Sequence, residues 1–148
     1  MTPEEVAARY DPSVGELLMS SAQEHLTGIP DYLGMHIVEV GPGFLVCELD
    51  VHGELLNPVG VAHGAVVASL VDHTLGTTVL PVLPAGSWPA TLEYKINYLA
   101  PTREGVLSAR GEVRGLSTRV ATVEIACTNQ GRLVALALGT VAITPPKT

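Results

Sequence analysis

Charge, aromatic side chains and cysteine are all scarce in this 148-residue chain. Charged residues make up 16% of it and aromatic residues 4%, whereas hydrophobic residues reach 47% and the mean hydropathy is +0.34. Eight basic residues face fifteen acidic ones, and the net charge of −7 excludes the broad basic footprint of a nucleic-acid-binding protein. Eight basic residues still suffice for a local anion site.

Two features of the sequence bear on where the protein is found in the cell. They are its two cysteines and its lack of a long apolar run. Cys47 and Cys127 fall at apolar positions of predicted strands with no CxxC spacing, so we expect buried free thiols and a reducing, cytoplasmic compartment. No uninterrupted apolar run has the length of a membrane span, and the acidic segment at residues 1–5 lacks the features of a signal peptide. The apolar excess then predicts surface that is hidden between subunits.

The chain is predicted to form one domain, residues 1–148, with an N-terminal helical extension over about residues 1–30. A helix over 13–27 is predicted to begin with Ser13 as its N-cap, and Glu16 completes a capping box. Beyond it, a long apolar helix is predicted over about 63–80. One helix buried along its length favours an antiparallel sheet wrapped around it, an α+β arrangement with the element order of the hotdog fold. Alternation of apolar and polar residues predicts the strands of that sheet at 35–40, 44–51, 90–99, 104–114, 119–129 and 132–143.

Asp72 is the one formally charged residue between Glu54 and Glu93, and it falls in the long apolar helix. A helix that is hydrophobic on nearly every face is buried in a core or an interface. A carboxylate is costly to keep there unless something pairs with it or uses it. Asp72 could take a proton from water or attack a carbonyl carbon itself.

Asn57, His63 and Gly64 precede this carboxylate, around the start of the same helix. Gly64 there presents a backbone N–H that has no intrahelical acceptor and lies at the positive end of the helix dipole. Such a donor stabilises the oxygen of a thioester carbonyl as it gains negative charge, and a residue without a side chain lets the substrate approach. Asn57 could hydrogen-bond the carbonyl or the attacking water.

Helix geometry separates Gly64 from Asp72. The two residues are eight positions apart on one helix, so their backbones lie about 12 Å apart. An oxyanion donor and a base that act on one carbonyl each lie roughly 3 Å from the reacting atoms. If both groups act on one carbonyl, they must therefore come from different chains, with two helices antiparallel across a two-fold axis. The sequence predicts an obligate homodimer with its active sites at the subunit interface.

The pattern Asn-x5-His-Gly-x7-Asp over residues 57–72 resembles the signature of PaaI-like hotdog-fold acyl-CoA thioesterases. The resemblance covers roughly residues 33–143 and includes 94–101, which is similar to the family's strand ending in an aromatic residue and proline. One position departs, since the second glycine of the family's pair is Ala65 here. The resemblance implies hydrolysis of an acyl- or aryl-acyl-CoA without a metal or cofactor, by homodimers that pair into homotetramers.

The resemblance also implies a role for each motif residue. Asp72 would be the general base or the nucleophile, and Gly64 would supply the N–H to the oxyanion. Asn57 would bind or orient the thioester or the water, while His63 would support this loop. Thr91 aligns with a hydroxyl residue that helps to hold the attacking water near the acid of the same chain.

Coenzyme A would, by the same resemblance, lie along the subunit surface with basic residues at its phosphates. Arg103, Arg114 and Arg119 are the candidate phosphate ligands. Ser117 and Thr118 accompany them in the turn between two predicted strands.

Two alternative functions stay open. A hotdog enoyl-CoA hydratase or dehydratase pairs a histidine with an acid, and no such motif surrounds His63. A non-catalytic acyl-CoA-binding module need not retain a base at Asp72, so its presence favours catalysis. The five histidines are dispersed along the chain, and no metal site is predicted from them.

Overall fold

The computed structural model describes residues 1–21 and 27–146. Within them, three short helices precede the sheet. The helix predicted over 13–27 is confirmed from Ser13 to Ser21, with α2 beginning one residue earlier. Residues 22–26 of the prediction lie outside the described residues, and Thr27 is not helical. The predicted stop at Gly28 is followed at once by another helical turn. These helices are α1 (Pro3–Ala7), α2 (Pro12–Ser21) and α3 (Ile29–Tyr32).

The predicted capping box of Ser13 and Glu16 is wrong, because α2 already includes Ser13. Asp11 takes the capping position instead, and its Oδ1 accepts hydrogen bonds from the backbone N–H of Ser13 at 2.9 Å and from its hydroxyl at 2.6 Å. These bonds lower the pKa of Asp11, since they favour the charged carboxylate. The capping box of the structure lies in α1, between Thr2 and Glu5.

Six strands of the described chain pair antiparallel in one sheet. Each begins and ends within two residues of its predicted bounds, because alternation and turn residues are local signals. The strands are β1 (His36–Gly41), β2 (Phe44–Val51), β3 (Trp88–Tyr98), β4 (Gly105–Leu116), β5 (Val120–Asn129) and β6 (Arg132–Thr144). Their order is β1-β2-β4-β5-β6-β3, so β1 and β3 form the two edges.

The long helix α4 (Gly64–Val79) packs against one face of this sheet and confirms the predicted hotdog architecture. With the 3₁₀ turn that follows, Gly64–Val82 has 19 residues and a mean hydropathy of 1.4, which is long and apolar enough to cross a membrane. It is 56% buried inside the fold, as a core helix is. Its buried face consists of Val66, Val67, Leu70, Val71, Thr74, Leu75, Thr78 and Val79.

Two glycines in the sheet let α4 and β3 lie close to the strands. A Cβ at Gly139 on β6 would lie 2.8 Å from Cβ of Tyr94 and 3.0 Å from the carbonyl oxygen of Glu93. A Cβ at Gly111 on β4 would lie 3.1 Å from Cγ2 of Thr74. Overpacking of this kind costs about 1–3 kcal/mol. Gly139 therefore lets β3 lie close to β6, and Gly111 lets α4 lie close to β4.

Cys47 and Cys127 are buried free thiols, as predicted. Burial raises the pKa of each to about 12. Both are paired in register with Ala109, on the strands to either side of it. The two cysteines are thus two strand spacings, about 9–10 Å, apart, which is beyond the Cα separation that a disulfide spans.

Candidate active site

Asn57 shapes the loop between β2 and α4. Its Oδ1 accepts hydrogen bonds from the backbone N–H of Val59 at 3.0 Å and of Val61 at 3.3 Å. Its own N–H donates to the carbonyl of Val61 at 2.8 Å. Asparagine commonly closes turns in this way. The side-chain oxygen is therefore engaged in the loop, and the Nδ2 amide group is the part of Asn57 left to meet a substrate.

The segment after β3 anchors this loop from outside. The N–H of Ala62 donates to the carbonyl of Thr102 at 2.7 Å, and Nη1 of Arg103 donates to the carbonyl of Gly60 at 3.1 Å. Arg103 is thus a structural support of the loop, whatever else it binds. The loop and the start of α4 are held as one unit.

Gly64 is the first residue of α4, as predicted, and His63 is its N-cap. Nδ1 of His63 accepts a hydrogen bond from the N–H of Ala65 at 3.1 Å, so the imidazole satisfies one free amide of the first turn. The hydroxyl of Tyr98 donates to the carbonyl of Gly64 at 3.0 Å. No hydrogen-bond acceptor for the N–H of Gly64 is found among residues 1–21 and 27–146.

A cavity of about 370 Å³ opens beside this helix start. Gly64 and Val67 of α4 form one wall, while Tyr98, Thr102 and Val134 line it from the sheet side. Most of these side chains are apolar. The cavity can hold an acyl or pantetheine group next to the uncommitted N–H of Gly64.

Asp72 lies on the face of α4 that the sheet leaves uncovered. In the single chain its side chain is exposed, so the burial cost that singled it out in the sequence does not apply there. It has no hydrogen-bond or ion-pair partner in the described part of the chain. Because Gly64 and Asp72 share one straight helix, they stay about 12 Å apart. The structure does not bring these two groups together within one chain.

Thr91 lies on the edge strand β3 and is exposed. It pairs in register with Val141, which is fully buried against the core. Residues directly opposite each other on paired strands point to the same face. Thr91 therefore points to the face of the sheet on which α4 and Asp72 lie.

Two groups next to Asp72 sense its charge. Burial raises the pKa of Tyr94, and the charge of Asp72 raises it further; the Tyr94 hydroxyl donates to the carbonyl of Ala68 at 3.2 Å. Burial lowers the pKa of His73, with Asp72 opposing the shift. Nε2 of His73 is buried without a hydrogen-bond partner among the described residues. Across those residues, no group of three His, Cys, Asp or Glu side chains could hold a metal ion.

Four of the five residues predicted to bind coenzyme A lie around the β4–β5 turn, at the end of the sheet away from Gly64. Arg114 forms ion pairs with Glu112 and Glu124, each at 2.8 Å, and the hydrogen bond that it donates to Glu124 raises its pKa. The hydroxyl of Ser117 accepts from the N–H of Val120 at 3.1 Å and shapes the β4–β5 turn. That turn also holds the exposed residues Thr118 and Arg119. Within one chain, only Arg103 of the predicted set is close to the loop that leads into Gly64.

Sequence reasoning missed the tyrosines of β3. Tyr94 and Tyr98 both contact the backbone of α4 through their hydroxyls. A signal was present, because residues four apart on a strand share a face, and a tyrosine combines an apolar ring with a hydroxyl that can form a hydrogen bond. Arg132 was missed too, although it lines a second cavity together with Arg103.

Several known proteins are similar to this chain in fold, in sequence or in both. Human acyl-coenzyme A thioesterase 13 is 28% identical over 102 residues, which cover 67% of this chain and 72% of that protein. The 1,4-dihydroxy-2-naphthoyl-CoA hydrolase of Listeria monocytogenes is 29% identical over 100 residues, 66% of this chain and 81% of that protein. The PaaI protein of the Escherichia coli phenylacetic acid degradation operon has the same fold, with a TM-score of 0.76, 23% identity, and coverage of 88% and 98%.

A family match agrees with these likenesses. Residues 59–136, more than half of the chain, match the Thioesterase superfamily. The matched segment contains all of α4, with Gly64 and Asp72, and the edge strand β3. The fold, the helix start at Gly64 and this match lead to one identity: the chain is a hotdog-fold member of the Thioesterase superfamily.

Proposed function

We propose that the protein hydrolyses acyl-CoA thioesters at sites that are shared between two chains. The observation that carries the proposal is that Gly64 lines an apolar cavity while its N–H has no acceptor in the described chain. The acid that the reaction requires, Asp72, stands uncovered on the same helix and out of reach of that N–H. The names of the relatives support a CoA ester as the substrate.

The proposed chemistry uses two groups, the N–H of Gly64 in one chain and the carboxylate of Asp72 of the partner subunit. The thioester oxygen accepts hydrogen bonds from the N–H of Gly64 and from Nδ2 of Asn57, which stabilise its developing charge. Asp72 of the partner subunit takes a proton from water as the water oxygen bonds to the carbonyl carbon, and Thr91 of that subunit helps to hold the water. The tetrahedral intermediate then breaks its carbon–sulfur bond, and the departing CoA thiolate takes up the proton. In the alternative, Asp72 of the partner subunit attacks the carbon itself, the carbon–sulfur bond breaks as the CoA thiolate departs, and water hydrolyses the resulting anhydride.

A homodimer is the arrangement that would bring Gly64 of one chain to Asp72 of the partner subunit. The strand β3 is an edge of the sheet, and Leu92 and Trp88 on it are 60% and 67% exposed in the single chain. An unpaired, apolar edge strand is a template for pairing with another strand. A second copy placed there by a two-fold axis would extend the sheet and cover the Asp72 face of α4.

We extend the proposal to a dimer of dimers in the cytoplasm. The outer face of the sheet carries Leu136 and Leu138 on β6, which are 36% and 51% exposed, and they offer a second apolar surface. The free thiols of Cys47 and Cys127 fit a reducing compartment. Sedimentation should show a tetramer, and Leu138→Glu should leave an active dimer.

The test is a panel of acyl-CoA esters in which the released thiol is measured with a chromogenic disulfide. Wild type should release thiol, and Asp72→Asn should lower kcat by about 10²–10⁴, since the amide can neither take the proton nor attack. Asp72→Glu serves as the matched variant that keeps the charge. Full hydrolysis by Asp72→Asn would refute the role assigned to Asp72.

The same panel separates the two alternative functions. A hydratase would consume an enoyl-CoA, seen as loss of its conjugated absorbance, without releasing thiol. A binding module would retain CoA esters in equilibrium dialysis and release no thiol from any of them. Either result, obtained with folded wild-type protein, would replace the proposal.

A further inference from the structure

Two cavities meet at the base of the helix start. The cavity beside Gly64 shares Pro101 and Val134 with a second cavity of about 430 Å³. The second one lies between the segment that follows β3 and the β5–β6 turn, and Arg103 and Arg132 line it. Because they share these two residues, the two cavities adjoin. Together they extend from Gly64 to two guanidinium groups, and we call the pair the groove.

These two arginines differ from those on the outer face of the sheet. Arg110 and Arg114 are held by carboxylates at 3.0 Å and 2.8 Å. Neither Arg103 nor Arg132 has an ion-pair partner among residues 1–21 and 27–146. Glu104 also lines the cavity and offsets part of their charge. Two guanidiniums without an ion-pair partner in the described chain, in a protein of net charge −7, favour an anionic ligand that presents pairs of oxygens, such as a phosphate.

Thr102 lies in the chain between Pro101, which lines both cavities, and Arg103, which lines the second. It lines the cavity beside Gly64 and is only 4% exposed. Its Oγ1 is buried and has no hydrogen-bond partner in the described chain. An unpartnered buried hydroxyl is destabilising and calls for an explanation. A ligand with amide groups that lies along the groove would supply the missing partner.

We propose that this groove binds the coenzyme A part of the substrate, with Thr102 at an amide of the pantetheine arm and Arg132, assisted by Arg103, at the nucleotide phosphates. The inference rests on the proposed hydrolysis of acyl-CoA and adds which chemical groups are recognised and by which side chains. It assigns the phosphates to the Gly64 end of the same chain, rather than to Arg114 at the far end. Arg103 also braces the loop at Gly60, so Arg132 is the residue to test.

The experiment compares two esters of one acyl group, its CoA ester and its pantetheine ester, which lacks the nucleotide. In Arg132→Ala, the ratio of kcat/KM for the CoA ester to that for the pantetheine ester should fall about tenfold, through KM. Arg132→Lys should recover part of the loss, because it keeps the charge but not the fork. Glu104→Gln should raise the ratio, since it removes a repelling charge. Arg9→Ala, at an exposed arginine in the N-terminal segment, is the matched control and should keep the wild-type ratio.

Two further substitutions sharpen the assignment. Thr102→Val should lower kcat/KM several-fold for both esters and keep their ratio, since both contain the pantetheine arm. The 3′-dephospho-CoA ester separates the phosphates. If it abolishes the sensitivity to Arg132→Ala, Arg132 binds the 3′-phosphate; if it preserves the sensitivity, Arg132 binds the diphosphate.

Failure of this inference differs from failure of the proposed function. If wild type hydrolyses both esters and Arg132→Ala leaves their ratio unchanged, or if Arg114→Ala lowers the ratio instead, the groove assignment is wrong and the hydrolase stands. If wild type releases no thiol at all, the hydrolase proposal fails. Calorimetric titration with free CoA then decides on the groove, since Arg132→Ala should raise Kd about tenfold, and an equal Kd would overturn the assignment.

Discussion

The first turn of α4 and its middle differ in how much of the site one chain supplies. At Gly64, hydrogen bonds within one chain hold the surrounding backbone in place, and they involve His63, Asn57 and Tyr98. At Asp72, the same helix presents an exposed carboxylate without a partner in the described chain. The oxyanion donor is therefore preorganised by folding alone, whereas the environment of the acid depends on what covers that face.

The largest effect expected at the first turn of α4 comes from removing the N–H donor alone. Gly64→Pro deletes the N–H, and proline suits the first position of a helix. The backbone of His63, with φ −59° and ψ 136°, already has the conformation that precedes a proline. We expect kcat to fall by about 10²–10³ with little change in Tm, measured by thiol release and by circular dichroism.

Gly64→Ala is the matched variant for this test. It keeps the N–H, and its Cβ would meet the Tyr98 ring at an ordinary 3.5 Å, so it should lose far less activity than Gly64→Pro. A folded Gly64→Pro enzyme with wild-type kcat would show that the N–H at this position does not hold the oxyanion.

The next prediction joins the two regions across chains. Gly64→Pro and Asp72→Ala chains, each inactive alone, are refolded together in equal amounts. Half of the dimers are then mixed, and each mixed dimer has one intact site of its two. Activity should return to about one quarter of the wild-type value for the same total protein. Mixed dimers that are verified by two affinity tags and remain inactive would place both groups in one chain.

The sequence predicted the Gly64 region better than the groove, for a physical reason. A helix start, its N-cap and a turn asparagine are local patterns, and His63, Gly64 and Asn57 lie where they were expected. The partners of an arginine on a sheet depend instead on strand register. Arg114 meets Glu124 across β4 and β5, where a bulge between Val113 and Gly115 shifts the pairing. No local pattern reveals that shift.

Competition between equivalent residues explains the error at α2. Asp11 and Ser13 are both good N-cap residues, and the carboxylate of Asp11 took the position by binding both donors of Ser13.

The exposure of Asp72 could not be predicted either. Hydrophobicity on all faces of α4 indicates burial in a core or an interface, and only the packed sheet shows which face remains for the interface.

A smaller effect separates the two tasks of Asn57. Asn57→Asp keeps the oxygen that accepts from Val59 and Val61 but replaces the Nδ2 donor with an anionic oxygen. We expect a nearly unchanged Tm and a fall in kcat/KM of about 10- to 100-fold. Asn57→Ala should lower both Tm and kcat/KM, since two loop amides lose their acceptor. Equal Tm losses in the two variants would mean that the side-chain oxygen does not hold the loop.

The smallest effect concerns the charge balance around Asp72. Burial lowers the pKa of His73 below its ordinary value of 6.5, so below about pH 6.5 the unfolded chain binds more protons than the folded one. Stability should be constant in this respect above that pH and should fall as the pH drops toward the folded pKa, by a few degrees in Tm. His73→Gln should reduce the fall, measured by calorimetry at about pH 7.5 and about pH 5.5. Asp72→Asn should enlarge it, because the carboxylate opposes the shift. A fall that both variants leave unchanged would show that other groups control stability in this range.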